Sequence, residues 1–298
     1  MPSTIQLYNQ SISDIKRLQN DLFSNQAKIG ADSIASTYKE LGSNISVIEG
    51  FKSSIERSDR FISSIDQVLR RLDTMYRAVD DIVNTAINFR KSLGLEATST
   101  NSSVFNLTQE ANSTLDRIRG SLNEKDGAAF VFSGAKSDVE PVNDLKNSTN
   151  ILNGQNTSNY YNGDDFISKV SASVTLEVDY GVTASNPAFK NLIASINRAK
   201  ATEASGEGAN YDQAGTELEN AIDELISLRA SIGNNTKVLE QMQEFHTRAK
   251  ATFEIKFDEK NSPDIIELTT KTSQLTATLQ ASYLNFSKIS QLNLSSFL

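Results

Sequence analysis

Cysteine is missing from the chain altogether, and histidine occurs once, at His246. The first absence excludes disulfides, thiolate nucleophiles and cysteine-ligated metals. The second leaves a lone imidazole on an apolar helical seam, without the partners a triad or a zinc site needs, and its role reads as structural. No run of about 18 apolar residues occurs, so no segment is suited to cross a membrane as a helix. The opening MPSTIQLYNQ has neither a basic region nor an apolar core, so no cleaved secretory signal is expected there. Apolar residues make up 38%, which is low for one large compact core and favours an extended helical architecture. The 29 Lys and Arg are outnumbered by 37 Asp and Glu, for a net charge of −8. No basic cluster stands ready to neutralise phosphates, so nucleic acid is not an expected partner. Phosphate-binding glycine loops and EF-hand spacing are absent too. Asp164 and Asp165 in YYNGDD read as turn chemistry, and Asp80 and Asp81 as a solvated helix face. The expectation is a chain with no cofactor, no metal and no catalytic residues.

What the sequence does hold is a seam of period 3.5. Ile48, Phe51, Ile55, Ser58, Ile62, Ile65, Leu69, Leu72, Tyr76, Val79, Val83 and Ala86 follow in alternating steps of three and four. No Pro or Gly interrupts Phe51 to Arg90, which predicts a coiled-coil-like helix about 60 Å long. LGLEATSTNSS is expected to end it, and Leu107, Ala111, Leu115, Ile118 and Leu122 predict a shorter helix. A second long seam runs through Ala221, Leu225, Leu228, Ile232, Asn235, Leu239, Met242, His246, Ala249 and Phe253. The two long helices are expected to pack lengthwise.

Between them the composition shifts to Gly, Asn, Ser and Asp. Val170, Ala172, Val174, Leu176, Val178 and Tyr180 alternate with polar residues and predict one half-buried strand. NPAFKNLIASINRAK predicts an amphipathic helix, and ATEASGEGAN a loop. The expected fold is mainly α with a β-rich insertion (α+β), with long antiparallel coiled-coil-like arms contributed by the N- and C-terminal halves. Its expected divisions are a terminal helix over 1–40, helical arms over 41–127 and 210–260, an insertion over 128–209, and a second terminal helix over 261–298.

Both ends carry thin seams. One runs through Ile5, Tyr8, Ile12, Ile15, Gln19, Leu22, Gln26 and Ile29. The other runs through Ile265, Leu268, Thr272, Leu275, Leu279, Ser282, Phe286, Ile289 and Asn293, and Leu294, Phe297 and Leu298 extend its apolar character. NSPD ahead of it is a helix start, with Ser262 as the expected cap. About six large apolar side chains per seam offer roughly 10 kcal/mol at most on full burial. Association and ordering cost about 4–15 kcal/mol, so such a pair is marginal alone. Terminal segments that are mobile and disordered in the free monomer, and become stable helices when many copies pack, are the expectation. An ordinary intramolecular helix pair closing a bundle is the alternative.

The terminal LQASYLNFSKISQLNLSSFL resembles the C-terminus of bacterial flagellin-type axial proteins, in which a Leu-Gln-Ala-Ser-Tyr run precedes a final apolar motif. The closing Leu294, Phe297 and Leu298 are most similar to the hook-associated protein 3 family, the hook–filament junction proteins. LISLRASIGNNTKVLEQ resembles that family's Arg-x-x-x-Gly-x-x-x-x-x-Leu helix, with Arg229, Gly233 and Leu239 in place. AAFVFSGAKSDVEPV, YYNGDD and VTLEVDYGVTASNPAF resemble its middle region. The family's usual Ser-Gly-Lys followed by Pro-x-Asp-Asp is missing after Ile29, where GADSIASTYKELG stands. VFNLTQEA also lacks the Phe-Asn-Gly-x-x-Leu-Leu motif of filament flagellins.

This resemblance implies a structural protein of the flagellum, secreted without a cleaved signal. The implied partners are the first hook-associated protein, flagellin, copies of the chain itself, the export apparatus and an export chaperone, with no nucleic acid and no membrane. The implied assembly residues are Ile5, Tyr8, Ile12, Ile15 and Leu22 at one end. At the other they are Ile265, Leu268, Leu275, Leu279, Phe286, Ile289, Leu294, Phe297 and Leu298. Filament flagellin is the near alternative. A cytosolic coiled-coil binding module, its insertion recognising a ligand, is the more distant one.

Overall fold

The computed structural model describes residues 4–31, 45–98, 106–146, 160–205, 210–261 and 264–294. Six helices and four short strands lie among them. In chain order they are α1 (Thr4–Ala31), α2 (Ile45–Thr98), α3 (Leu107–Leu122), β1 (Lys125–Asp126), β2 (Ala129–Phe130), β3 (Lys169–Ser171), β4 (Glu177–Asp179), α4 (Pro187–Ser205), α5 (Asn210–Asn261) and α6 (Ile265–Leu294). The fold is mainly α with a small β-containing insertion. It divides into two compact units, Ser58–Thr247 and a unit made of Met1–Arg57 with Arg248–Leu298.

In the Ser58–Thr247 unit, α2 and α5 run antiparallel. Arg90 pairs with Glu219 at 2.9 Å, Asp80 pairs with Arg229, and the Phe61 ring stacks on His246 with centroids 4.7 Å apart. Going down α2 means going up α5, as the two seams predict. Every predicted α5 seam position from Ala221 to His246 is at least partly buried. The α2 face is wider than predicted. Val68, Met75, Ile82 and Phe89 are buried beside the expected stripe, whereas Tyr76 is 40% exposed. A narrow stripe suits one partner, but α2 shares its core with α3, α4 and α5, and a helix flanked on several sides needs a broader apolar face.

Helix α3 matches its prediction at every position. Leu107, Ala111, Leu115, Ile118 and Leu122 have no exposed surface, and together contribute about 10 kcal/mol of apolar burial as an upper bound. Asn106 caps it by accepting from the Gln109 N–H at 2.8 Å. Asn186 starts α4 in a similar way, its side-chain oxygen accepting from the Ala188 N–H at 3.0 Å. That helix continues to Ser205, so ATEAS is helical rather than loop, as its good helix formers favour.

The predicted single strand over 170–180 is instead a hairpin. β3 and β4 pair antiparallel with Val170 opposite Val178, and both are buried. Ser173 turns the chain, its Oγ accepting from the N–H groups of Thr175 at 3.2 Å and Leu176 at 3.0 Å. Val174 at the tip is 78% exposed. Alternation survives because the register pairs two even-numbered residues, so one strand and a tight hairpin share the same pattern.

In the other unit α1 packs side by side with α6, and Phe51 of α2 lies 6.4 Å from Phe253 of α5 between ring centroids. Helix α6 is capped by Asp264. The Asp264 carboxylate accepts from the N–H groups of Ile266 and Glu267, each at 3.0 Å. Ser262 itself lies outside the described residues.

Candidate assembly interface

The predicted terminal seams largely coincide with the faces on which α1 and α6 meet. Ile15 is buried, and Ile12, Leu22, Leu268, Leu275, Leu279 and Phe286 are partly buried. Gln19 donates to the Tyr283 hydroxyl across the pair at 2.7 Å. Ile265 differs, being 49% exposed at the first turn of α6. Ile5 and Tyr8 lie in α1, and Ile289 and Leu294 in α6, while Phe297 and Leu298 fall outside the described residues. On α1 the buried polar position is Asn25, not the predicted Gln26, and Leu18 joins the seam. Elsewhere the α1 stripe keeps its predicted course, since Ile12, Ile15, Gln19, Leu22 and Ile29 are all at least partly buried. Hydroxyls on the inward face of α6 are satisfied within the helix at Thr276 and Ser282 but not at Thr272, whose Oγ1 is buried without a partner. Thr276 donates to Thr272 and Ser282 to Thr278, each at 2.8 Å, which lets polar residues sit in a seam cheaply.

Full burial is rare among the described residues of this unit. Among the described residues, Ile15 and Ile48 are its only buried apolar side chains, and neither belongs to the core of the other unit. Phe23, Ile255, Ile266, Tyr283 and Leu284 are instead exposed. Sequence reasoning missed these outward residues because they fall off the seam, and only a second stripe, read separately, would have found them.

The motifs of the middle region close on one another. Phe132 is fully buried and meets Phe189 edge-on at 5.8 Å, and its carbonyl accepts from the Ala184 N–H at 2.9 Å. Arg71 of α2 donates to the carbonyls of Phe130 and Val131, both at 3.1 Å. Asp164 ties YYNGDD to FVFSG. Its N–H donates to the Ser133 carbonyl at 3.1 Å, and its Oδ1 accepts from Ala135 at 2.8 Å and Phe166 at 3.1 Å. The Tyr161 hydroxyl donates to the Asp164 carbonyl at 2.5 Å, and Ser185 donates to Asp165 at 2.5 Å. Buried Tyr160 donates to the Ala184 carbonyl at 2.8 Å, and burial raises its pKa well above the ordinary 10.0. The NGDD stretch is thus a structural knot, as turn chemistry predicts.

The N–H groups of Ala135 and then Phe166 hold the Asp164 carboxyl below its ordinary 3.8. A lowered folded pKa contributes stability that is complete above about pH 4 and lost as pH falls through the lowered value. The Ala135 amide resonance is therefore expected to titrate with a midpoint below 3.8, and Asp164→Asn should remove that titration. A midpoint at or above 3.8 would count against the knot.

His246 is buried, as its seam position predicts. Its Nε2 donates to the Ala172 carbonyl at 2.8 Å, which fixes the β3–β4 hairpin to α5. Asn235 does the same further up, donating to the Asp179 carbonyl at 2.8 Å. Asp80, expected on a solvated face, instead makes the interhelical pair with Arg229. Gly233 is not sterically required, because a Cβ there would sit in ordinary contact with Tyr76 at 3.8 Å. Leu239 is fully buried.

Among solved structures the chain is similar to one described as a candidate flagellar hook-associated protein from Vibrio parahaemolyticus. The two are 16% identical with a TM-score of 0.56, over 73% of this chain and 97% of that one. It is also similar to FlgL from Bacillus cereus, 11% identical with a TM-score of 0.51, over 66% of this chain and 98% of that one. At these identities the likeness shows a shared fold. No protein-family profile and no curated protein matches the sequence.

Proposed function

We propose that this chain is a structural subunit of the bacterial flagellum that joins hook to filament. In this reading α1 and α6 pack among the corresponding helices of neighbouring axial subunits. One observation carries it: the unit holding these helices has two buried apolar side chains among its described residues and exposes several large ones. A helix pair so poorly covered gains its stability from further copies. The shared fold with hook-associated proteins and the FVFSG, YYNGDD and C-terminal motifs support the same reading. Segments 1–40 and 261–298 then serve assembly, 41–127 and 210–260 form the arms, and 128–209 is the outer insertion. The partners are the first hook-associated protein, flagellin and copies of the chain. The chain reaches them through the flagellar export apparatus with an export chaperone, and performs no catalysis.

A junction subunit presents different surfaces to two partners, so it adds a limited number of layers. A filament subunit meets copies of itself, and its head-to-tail contacts propagate without limit. Deleting the gene is expected to leave hooks without filaments and free flagellin in the medium. Purified protein should add short caps to hook seeds. Long filaments of this chain alone would make it a flagellin instead.

A further inference from the structure

Asn162 and Gly163 form an Asn-Gly pair inside the YYNGDD stretch. Such a pair is chemically labile, since glycine has no Cβ to shield the backbone nitrogen that attacks the asparagine amide. The structure nevertheless calls for both residues. A Cβ at 163 would meet the Ser133 carbonyl oxygen at 2.5 Å, and the Tyr161 hydroxyl closer still. The Asn162 side chain is a brace. Its Nδ2 donates to the Glu140 carbonyl at 3.1 Å and to Asn143 Oδ1 at 2.9 Å, and its Oδ1 accepts from Asn143 Nδ2 at 3.0 Å. The backbone on either side is held too, the Asn162 N–H donating to the Pro141 carbonyl at 2.9 Å and the Asp164 N–H to that of Ser133 at 3.1 Å.

Deamidation would join the Gly163 nitrogen to Asn162 Cγ. The nitrogen gives up its proton, the Cγ–Nδ2 bond breaks, and ammonia leaves a cyclic imide that water opens to aspartate or isoaspartate. Attack turns the planar amide into a tetrahedral carbon, which pulls Oδ1 and Nδ2 out of line with all three bonds. Two of these come from Asn143 alone.

We propose that Asn162–Gly163 is a deamidation site that folding holds shut, with Asn143 as its guard, and that the product cannot rebuild the brace. A carboxylate at 162 has no donor, so it sets oxygen against the Glu140 carbonyl and Asn143 Oδ1, where Nδ2 now donates. Each local opening of this segment exposes the amide to a one-way step, which marks the chain for time spent open. The chemistry is the same whatever the chain assembles with.

Fragment-resolved mass spectrometry of the full chain, held at mildly alkaline pH, reads the amide lost at 162. The folded wild-type chain should lose it far more slowly than the same chain in urea. Asn143→Ala removes two of the three bonds, so loss from the folded chain should rise about thirtyfold, with the rate in urea unchanged. Asn143→Asp sets an oxygen against Asn162 Oδ1 and should speed the loss as well. Position 143 is exposed, so both variants are expected to fold. Equal loss from folded and urea-treated wild type overturns the closed site. A folded Asn143→Ala chain that keeps its amide as wild type does overturns the guard. If Asn143→Ala fails to fold, Asn143→Asp decides on the same criterion. Asn162→Asp supplies the aspartate product directly and should lower the urea midpoint of the Ser58–Thr247 unit. An unchanged midpoint would show that the product still closes, and would overturn the one-way mark.

Discussion

Gly134→Ala is expected to destabilise the Ser58–Thr247 unit by about 3 kcal/mol, while Gly127→Ala costs about 1 kcal/mol. Both glycines have positive φ, 72° and 63°, so both substitutions carry backbone strain. Their surroundings differ. A Cβ at 127 meets nothing within 4 Å, whereas one at 134 would overlap both the Oδ1 and the carbonyl oxygen of Asp164. Asp164 cannot simply retreat, because Ser133, Ala135, Tyr161 and Phe166 all bond to it. Gly163 is equally confined, since a Cβ there would meet the Ser133 carbonyl at 2.5 Å. Urea denaturation should show the difference as a midpoint shift at constant slope. Equal losses at 127 and 134 would mean that the knot yields freely and contributes little.

That knot marks where reading the sequence alone stops. Helix α3 was fully legible, since five apolar residues at helical spacing needed only one partner surface, and all five are buried. The α5 seam was legible for the same reason. The width of the α2 face was not, because spacing reports which residues are apolar and not how many helices surround them. Val170 and Val178 show a second limit: alternation keeps its parity through a tight turn, so a hairpin and a strand look alike. Asp264 shows a third: its capping bonds to Ile266 and Glu267 depend on backbone geometry that residue type alone does not report. The need for glycine at 134 depends on Asp164, a contact far along the chain that no local pattern encodes. At the candidate interface the inward seam of α6 was read in phase. The outward Ile266 and Leu284 were not, because an apolar residue off the seam gains meaning only once its exposure is known.

Phe286→Asp is expected to abolish incorporation into flagella while leaving the melting of the Ser58–Thr247 unit unchanged. The second half follows from the core: its buried cluster runs from Ile65 to Leu239 and, among the described residues, includes none from α1 or α6. The first half follows from electrostatics, since Phe286 lies on the partly buried face of α6, where a carboxylate loses its water. A penalty of about 4 kcal/mol per copy lowers affinity about a thousandfold, and it recurs at every subunit added. Leu284→Asp separates packing within the chain from packing between chains. Leu284 is 66% exposed, so a charge there costs the single chain little. If neighbouring subunits cover that face, Leu284→Asp should also block addition to hook seeds, with trypsin cleavage of α6 unchanged. Normal incorporation of both variants would sink the assembly role of α6. A fall in the melting temperature of the Ser58–Thr247 unit in either would show that the terminal helices already belong to its core.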